Sequence, residues 1–426
     1  MSDDRLHRML DALWRMEAPR LVARIARIVG DVGIAEELAQ DVQVTALERW
    51  PADGVPDNPA AWLTTAARRR AIDHVRQRAL HAQKLGDYGA DLEAFGDHMQ
   101  DDRAAETADD AIGDDLLRLM FTACHPVLPR ESRVALTLRL LGGLTTTEIA
   151  RAFLQPEPTV AQRIVRAKRT LSEKRVPFEV PQRAELRERL DAVREVVYLV
   201  FNEGYAASAG EDWMRPALCE EALRLGRVLA GLLPDDTETL GLLALMELQT
   251  SRAKARVTAD GTPILLPDQD RSRWDRLQIA RGLAALDRAQ RRMVTAGEAP
   301  GPYVLQAAIA ACHARARRAD DTDWARIAAL YGALGRLAPS PVIELNRAVA
   351  VAQAQGPAAA LPLLDALLDA PALRDYALLH AAHGDVLLKL GRRDEARDAF
   401  ERAAALAGNN RDRALMHERA RACIAD

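Results

Sequence analysis

Apolar positions recur every three or four residues along most of the chain, the period at which side chains share one helix face. Leu10, Leu13 and Trp14, then Leu21, Ile25 and Ile28, mark an amphipathic helical stretch within 5–50. Asp31-Val32-Gly33 interrupts it, and a second amphipathic helix follows through IAEELAQDVQVTALERW. Pro51, Pro56 and Pro59 predict a loop over 51–59, because proline lacks the N–H that a helix interior requires. Asn58-Pro59 opens a third helix, AAWLTTAARRRAIDHVRQRA, with Asn58 as N-cap and Pro59 in the first turn. Helical periodicity stops near 86 and resumes at Ile112. The segment 86–115 carries eleven Asp or Glu and one Arg among several glycines, the composition of an acidic, mobile linker.

Beyond Pro181 the pattern is helical almost throughout, so the expected fold class is all-α. ARVTADGTPILLPDQDRSRWD, at 255–275, is an exception. Asp260-Gly261 lies there between two β-branched runs and predicts a small hairpin or an ordered loop. Near the C-terminus, Gly384, Ala396, Phe400 and Ala403 stand at the spacings of a tetratricopeptide unit. A looser copy, ELNRAVAVAQAQGPAAALPLLDALL, precedes it, with a generic helical hairpin as the competing reading. Small residues at these positions let paired helices approach closely, and stacked pairs form a concave surface.

One stretch, TTTEIARAFLQPEPTVAQRIVRAKRTL from Thr145 to Leu171, reads as two short helices with a tight break. Ile149, Ala150 and Phe153 make the apolar face of the first, with Thr146 or Thr147 able to cap it. Leu154-Gln155-Pro156 makes the turn. In the second helix Val160, Ile164, Ala167 and Leu171 share one face. Gln162, Arg163, Arg166 and Arg169 lie on the other, with Lys168 at its edge. A helix of this polarity fits a DNA major groove, N-terminal side chains reaching bases and later ones phosphates. The blander alternative is a solvated basic helix in a bundle.

Composition sharpens this picture. Aromatic residues are only 4%, so the core must be Leu, Ala, Val and Ile, which suits helix packing. Net charge is −4, and a nucleic-acid contact must therefore concentrate positive charge locally. It does so twice. Ten Arg or Lys face four Glu between Arg130 and Arg175, and Arg68, Arg69, Arg70, Arg76 and Arg78 crowd the helix after Trp62. Cys124, Cys219, Cys312 and Cys423 are scattered with no CxxC pair, which argues against a disulfide framework or structural zinc. The N-terminus lacks an apolar signal core and no apolar run is long enough to span a bilayer, so a reduced, cytoplasmic protein is expected. No phosphate-binding loop, HExxH or GxSxG is present. Cys124-His125 and Cys312-His313 are poor metal sites, since neighbours on a helix point about 100° apart. Asp268, Asp270 and Asp275 near Trp274 read as a charged loop with an N-cap rather than a cation site. Neither catalysis nor a cofactor or metal is expected.

GIAEELAQDVQVTALERW, NPAAWLTTAARRRAIDHVRQ and LGGLTTTEIARAFLQPEPTVAQRIVRAKRTL, in that order and spacing, resemble the bacterial extracytoplasmic-function RNA polymerase sigma factors. YLVFNEGYAAS (198–208), DQDRSRWD (268–275) and SPVIELNRAVAVA (340–352) resemble signatures of a subgroup with a long C-terminal tetratricopeptide-like region. The resemblance implies sigma region 2 at 1–82, an acidic linker at 83–111, region 4 at 112–178 and a helical extension at 179–426. Tetratricopeptide-like repeats are expected at about 341–410. It implies that Glu36, Glu37, Gln40 and Asp41 grip the polymerase clamp. Arg68, Arg69, Asp73, His74, Arg76 and Gln77 fall where the −10 element is read and opened. Thr159, Gln162, Arg163, Arg166, Lys168 and Arg169 fall where the −35 element is read. Arg69 replaces the family's usual Asn, which suggests a phosphate contact there, and Gln155-Pro156 replaces a common glycine in the turn. The implied partners are core RNA polymerase and promoter DNA, with a protein regulator on the extension and no membrane. The extension is expected to modulate activity. A conventional helix-turn-helix regulator with a tetratricopeptide-like sensor is the alternative; it needs no clamp helix at Glu36–Asp41.

Overall fold

The computed structural model describes residues 3–84, 108–153, 155–181, 183–205, 214–258, 264–408 and 410–424. Among them the regular elements are all helices. The chain divides into two compact units, Met1–Leu199 and Val200–Asp426.

In the first unit α1 (Asp3–Val29) packs on α2 (Val32–Asp53) and α3 (Pro59–Lys84). Gly30 leaves α1 at φ 71, a conformation that favours glycine. Asp31 then caps α2, its Oδ1 accepting from the Gly33 and Ile34 amides at 2.7 and 3.1 Å. Leu21, Val22 and Ile25 of α1, Ala39, Val42, Ala46 and Trp50 of α2, and Leu63 and Ala67 of α3 are buried where these helices pack. The small alanines bring the helices close, and Trp50 closes the end edge-on to Trp62, 5.4 Å between ring centroids. Asn58 caps α3 through the Ala61 amide at 3.1 Å. The loop expected from Pro51 is shorter than the pattern implied. Helix α2 runs on through Pro51 and stops at Gly54, φ 84, because in the last turn the missing N–H removes a single hydrogen bond.

The same unit holds α4 (Ala108–Ala123), α5 (Arg130–Leu140), α6 (Thr146–Ala152) and α7 (Glu157–Glu173). Most of the acidic linker expected at 83–111 lies outside the described residues; 83–84 belong to α3 and 108–111 to α4. The cap of α6 is Thr145, not Thr146 or Thr147. Its hydroxyl accepts from the Glu148 amide at 3.1 Å while Glu148 Oε2 accepts from the Thr145 amide at 2.8 Å, a reciprocal capping box. Helix α8 (Arg183–Tyr205) crosses the division between the units. Its first half lies on α4 and α5: Arg189 donates to the Phe121 carbonyl at 2.9 Å, and Glu195 pairs with Arg130 and Arg133 at 3.0 and 3.5 Å.

The second unit continues with α9 (Pro216–Leu232), α10 (Thr237–Thr250), α11 (Arg276–Ala296), α12 (Pro302–Arg315) and α13 (Trp324–Leu337). It ends with α14 (Pro341–Gln355), α15 (Pro357–Leu368), α16 (Ala377–Lys389), α17 (Arg393–Leu406) and α18 (Asn410–Ala422). Successive helices pack as neighbours from α12 onward. Gly384 of α16 faces Phe400 of α17, and an added Cβ would stand 2.9 Å from that ring. Between α10 and α11 the described residues form an ordered loop of short 3-10 turns, with the Ile264 amide donating to the Arg256 carbonyl at 2.7 Å. Asp260-Gly261 lies outside the described residues.

Candidate nucleic-acid interface

Helix α7 presents two faces. Val160, Ile164, Ala167 and Leu171 are buried, while Thr159, Gln162, Arg166 and Arg169 are exposed. Pro156 and Pro158 start the helix where a missing N–H costs nothing. Arg163 is half-buried, and its Nη1 donates to Gln155 Oε1 at 2.7 Å, which braces the turn. Arg169 is engaged by Glu173 one turn on, at 2.6 Å. Sequence reasoning passed over Val165, which is 63% exposed among these polar residues. Its signal was there to read: an apolar side chain on the polar face of an otherwise regular amphipathic helix.

On α3, Arg68, Arg69, Asp73, Arg76 and Gln77 are exposed, and His74 is half-buried. Arg70 turns toward α2 instead. Its Nη2 donates to Thr45 Oγ1 at 3.2 Å and its Nη1 stands 3.6 Å from Asp41 Oδ2.

The four residues of α2 separate sharply. Glu37 and Asp41 are exposed. Glu36 is 5% exposed and lies between the two halves of the unit. Its Oε1 accepts from Arg139 Nε of α5 at 2.6 Å and from Gln40 Nε2 at 2.9 Å, and its Oε2 pairs with Lys168 of α7. Glu36 and Gln40 therefore face inward in this arrangement, and Lys168 is turned away from the exposed face of α7. A second ionic tie runs beside it: Arg27 of α1 stands 3.6 Å from buried Asp115 of α4.

Cys124 belongs to the core, its Sγ 3.3 Å from Thr137 Oγ1. Burial pushes its thiol up to about 11 and holds His125 down at about 4. Such a pair offers neither a thiolate nor an imidazolium near neutrality.

Three families match the chain. Sigma-70 region 2 matches residues 13–80 and Sigma-70 region 4 matches 118–171. A family of unknown function matches 189–290. An uncharacterized protein of Rhizobium meliloti is 45% identical over 406 residues, 93% of this chain and 92% of that protein. The ECF RNA polymerase sigma factor SigK of Mycobacterium ulcerans is 31% identical over 157 residues, 36% of this chain and 78% of its own length. The probable ECF RNA polymerase sigma factor SigI of Mycobacterium tuberculosis is 28% identical over 174 residues, 41% of this chain and 58% of its own.

Proposed function

The chain belongs to the ECF RNA polymerase sigma factors, and from that premise we propose how its residues divide the work of promoter-specific initiation. Helix α7 reads the −35 element through Thr159, Gln162, Val165, Arg166 and Arg169. The observation that carries this is the clean division of the helix, with four apolar residues buried and a polar, basic face open. Gln and Arg offer paired donors to adenine and guanine edges, and an exposed valine suits a thymine methyl. Arg163 supports the helix by bracing its turn.

Helix α3 contacts the −10 element through Arg68, Arg69, Asp73, Arg76 and Gln77, with His74 beneath. Arg69 supplies charge to a phosphate, a contact that positions rather than specifies. Core polymerase is gripped at the exposed Glu37 and Asp41. Glu36 and Lys168 hold one another in the compact first unit. Full engagement of polymerase and DNA therefore parts α2 from α5 and α7 and frees both side chains. The helical extension sets this activity, through a protein regulator or a ligand held on it.

A conventional helix-turn-helix regulator has no use for a region 2 that matches residues 13–80. The test is run-off transcription with purified core polymerase and a mapped promoter. A promoter-specific transcript that appears only when the chain is added supports the assignment. The Arg166→Ala variant lowers it, and an unchanged transcript moves −35 recognition elsewhere.

A further inference from the structure

The second unit holds a cavity that promoter recognition leaves unused. It measures about 510 Å³, inside the range of about 300–1,000 Å³ over which proteins hold small molecules. Its walls come from Met214 and the first turns of α9, the end of α10, the 3-10 turn Ala253–Ala255, the start of α11 and, through Arg411, α18. All of the lining but Arg411 lies in the block, 189–290, that the family of unknown function matches and the two sigma regions do not.

The wall is held by the protein's own contacts. Arginines pin the 3-10 turn at both flanks. Arg252 Nη2 donates to the Tyr205 hydroxyl at 2.8 Å, and the Arg256 guanidinium lies 3.5 Å from the Tyr205 ring centroid. Arg252 also approaches the Trp274 ring, at 5.9 Å, and Arg271 approaches the same ring at 4.6 Å. Arg271 is fixed in turn, its Nη1 donating to the carbonyls of His313 and Ala316 at 2.7 and 2.9 Å. The Asp275 amide donates to the Ser251 carbonyl at 2.8 Å, which ties the start of α11 to the end of α10. A preformed cavity spares a ligand the cost of ordering its own site.

Met214, Pro216, Cys219, Leu223, Ala253 and Val257 give the cavity an apolar lining. Two of its polar groups are engaged within the protein. Ser251 Oγ donates to the Leu248 carbonyl at 2.7 Å, and Asp275 Oδ1 accepts from the Leu277 and Gln278 amides at 2.9 and 3.0 Å. Burial pushes the Cys219 thiol up to about 12, so near neutrality it behaves as a small hydrophobe and not as a thiolate. The charged lining residues are Glu220, Asp275, Lys254 and Arg411, two of each sign. Their charges offset one another, and the lining selects neither an anion nor a cation.

We propose that this cavity binds a small, uncharged and mostly apolar molecule. Its frame lies against Cys219, Leu223 and Val257, and removing that surface from water drives the binding. The occupant borders α18 as well as the block 214–278, and so joins the two ends of the second unit. The proposal deepens the reading that a ligand on the extension sets activity, and rests on that reading for its consequence alone. Binding is tested without polymerase or DNA, so its failure leaves the promoter assignment standing.

The experiment is a fluorescence titration of the full chain with N-phenyl-1-naphthylamine, an uncharged probe that brightens in apolar surroundings. Anilinonaphthalene sulfonate, the same frame with a negative charge, is the comparison. The uncharged probe should saturate one site per chain, and the sulfonate should bind at least tenfold more weakly. Ala253→Trp fills the cavity from the partly exposed turn and should weaken the uncharged probe at least tenfold, with an unchanged circular dichroism spectrum. Val294→Ser removes an 84% exposed apolar side chain outside the cavity and should leave the affinity as it is. If Ala253→Trp fails to fold, Gln278→Trp, which fills the cavity from the first turn of α11, is read in its place. No saturable binding, equal or tighter binding of the sulfonate, full affinity in the folded cavity-filling variant, or a tenfold loss in Val294→Ser overturns the proposal.

Discussion

Arg163 and Arg166 sit one turn apart on α7 and have different work. Arg166 is exposed, whereas Arg163 is bonded to Gln155. Arg166→Ala should cost promoter binding roughly 1–3 kcal/mol if it contacts a base. Should it contact a phosphate instead, the loss will be the same on all sequences and the salt slope will fall by about one charge. Arg163→Ala should act mainly on the turn, at the cost of about one net hydrogen bond, roughly 1 kcal/mol of stability. Anisotropy titrations over a salt series separate the two; indistinguishable behaviour of both variants would falsify the division. The exposed face of α7 was legible in sequence because a helix on a core has one buried face, and the 3.6-residue period fixes which. A second prediction concerns His313. Burial lowers its folded value to about 3, below the ordinary 6.5, so the unfolded chain takes up the proton first. The contribution to stability is complete above pH 6.5 and falls as pH drops toward 3, by about 2 kcal/mol between pH 7 and pH 5. Denaturant titrations at the two pH values check this, and a His313→Leu variant should lose the His313 share while the share of His125, likewise lowered by burial, remains.

At the scale of elements, the Glu36 cluster joins α2 to α5 and α7. Glu36→Gln leaves Arg139 and Lys168 without their carboxylate. Because both cations keep partial access to water, the cost should sit at the lower end for a broken buried pair, roughly 3 kcal/mol. The variant should have a lower denaturant midpoint with an unchanged slope, and it should bind core polymerase no worse than the natural chain. A midpoint that does not move contradicts a structural Glu36. Glu37→Lys is the cleaner probe of polymerase contact, since Asp41 also faces Arg70. In folded protein it should weaken a pull-down of core polymerase. The resemblance grouped Glu36 with Glu37 and Asp41 as a clamp contact, and nothing local in the sequence showed otherwise, because its cations are distant in the chain; Arg139 is 103 residues away. Local periodicity carries no information about such pairs. The Thr145 cap was missed for a smaller reason. Three consecutive threonines are equivalent by type, and only the reach of Glu148 back to the Thr145 amide selects one. The loop's acidic residues were read as a charged loop with an N-cap, and Asp270 and Asp275 are caps, but the arginines of 252–271 beside them were overlooked.

Across the whole molecule, the helical class was readable from periodicity, and the order of region 2, region 4 and extension from the resemblance of three separate blocks to the sigma factors. The end of the first unit was not. Compactness places it at Leu199, inside α8, whereas Pro177 and Pro181 drew attention to an earlier break. Leu190, Val193 and Val197 are buried on this helix, so a chain cut after Glu179 loses the cover of α4 and α5. Truncation there should expose apolar surface and reduce soluble, active protein, while truncation after Tyr205 should keep the first unit folded. The measurement closest to the central claim is run-off transcription with purified core polymerase at matched soluble concentrations of the full chain and its Arg166→Ala and Glu37→Lys variants. A promoter-specific transcript should require the full chain, fall with Arg166→Ala through loss of promoter affinity, and fall with Glu37→Lys through loss of polymerase affinity. No chain-dependent transcript from any mapped promoter, or equal transcript from all three chains, would contradict the account.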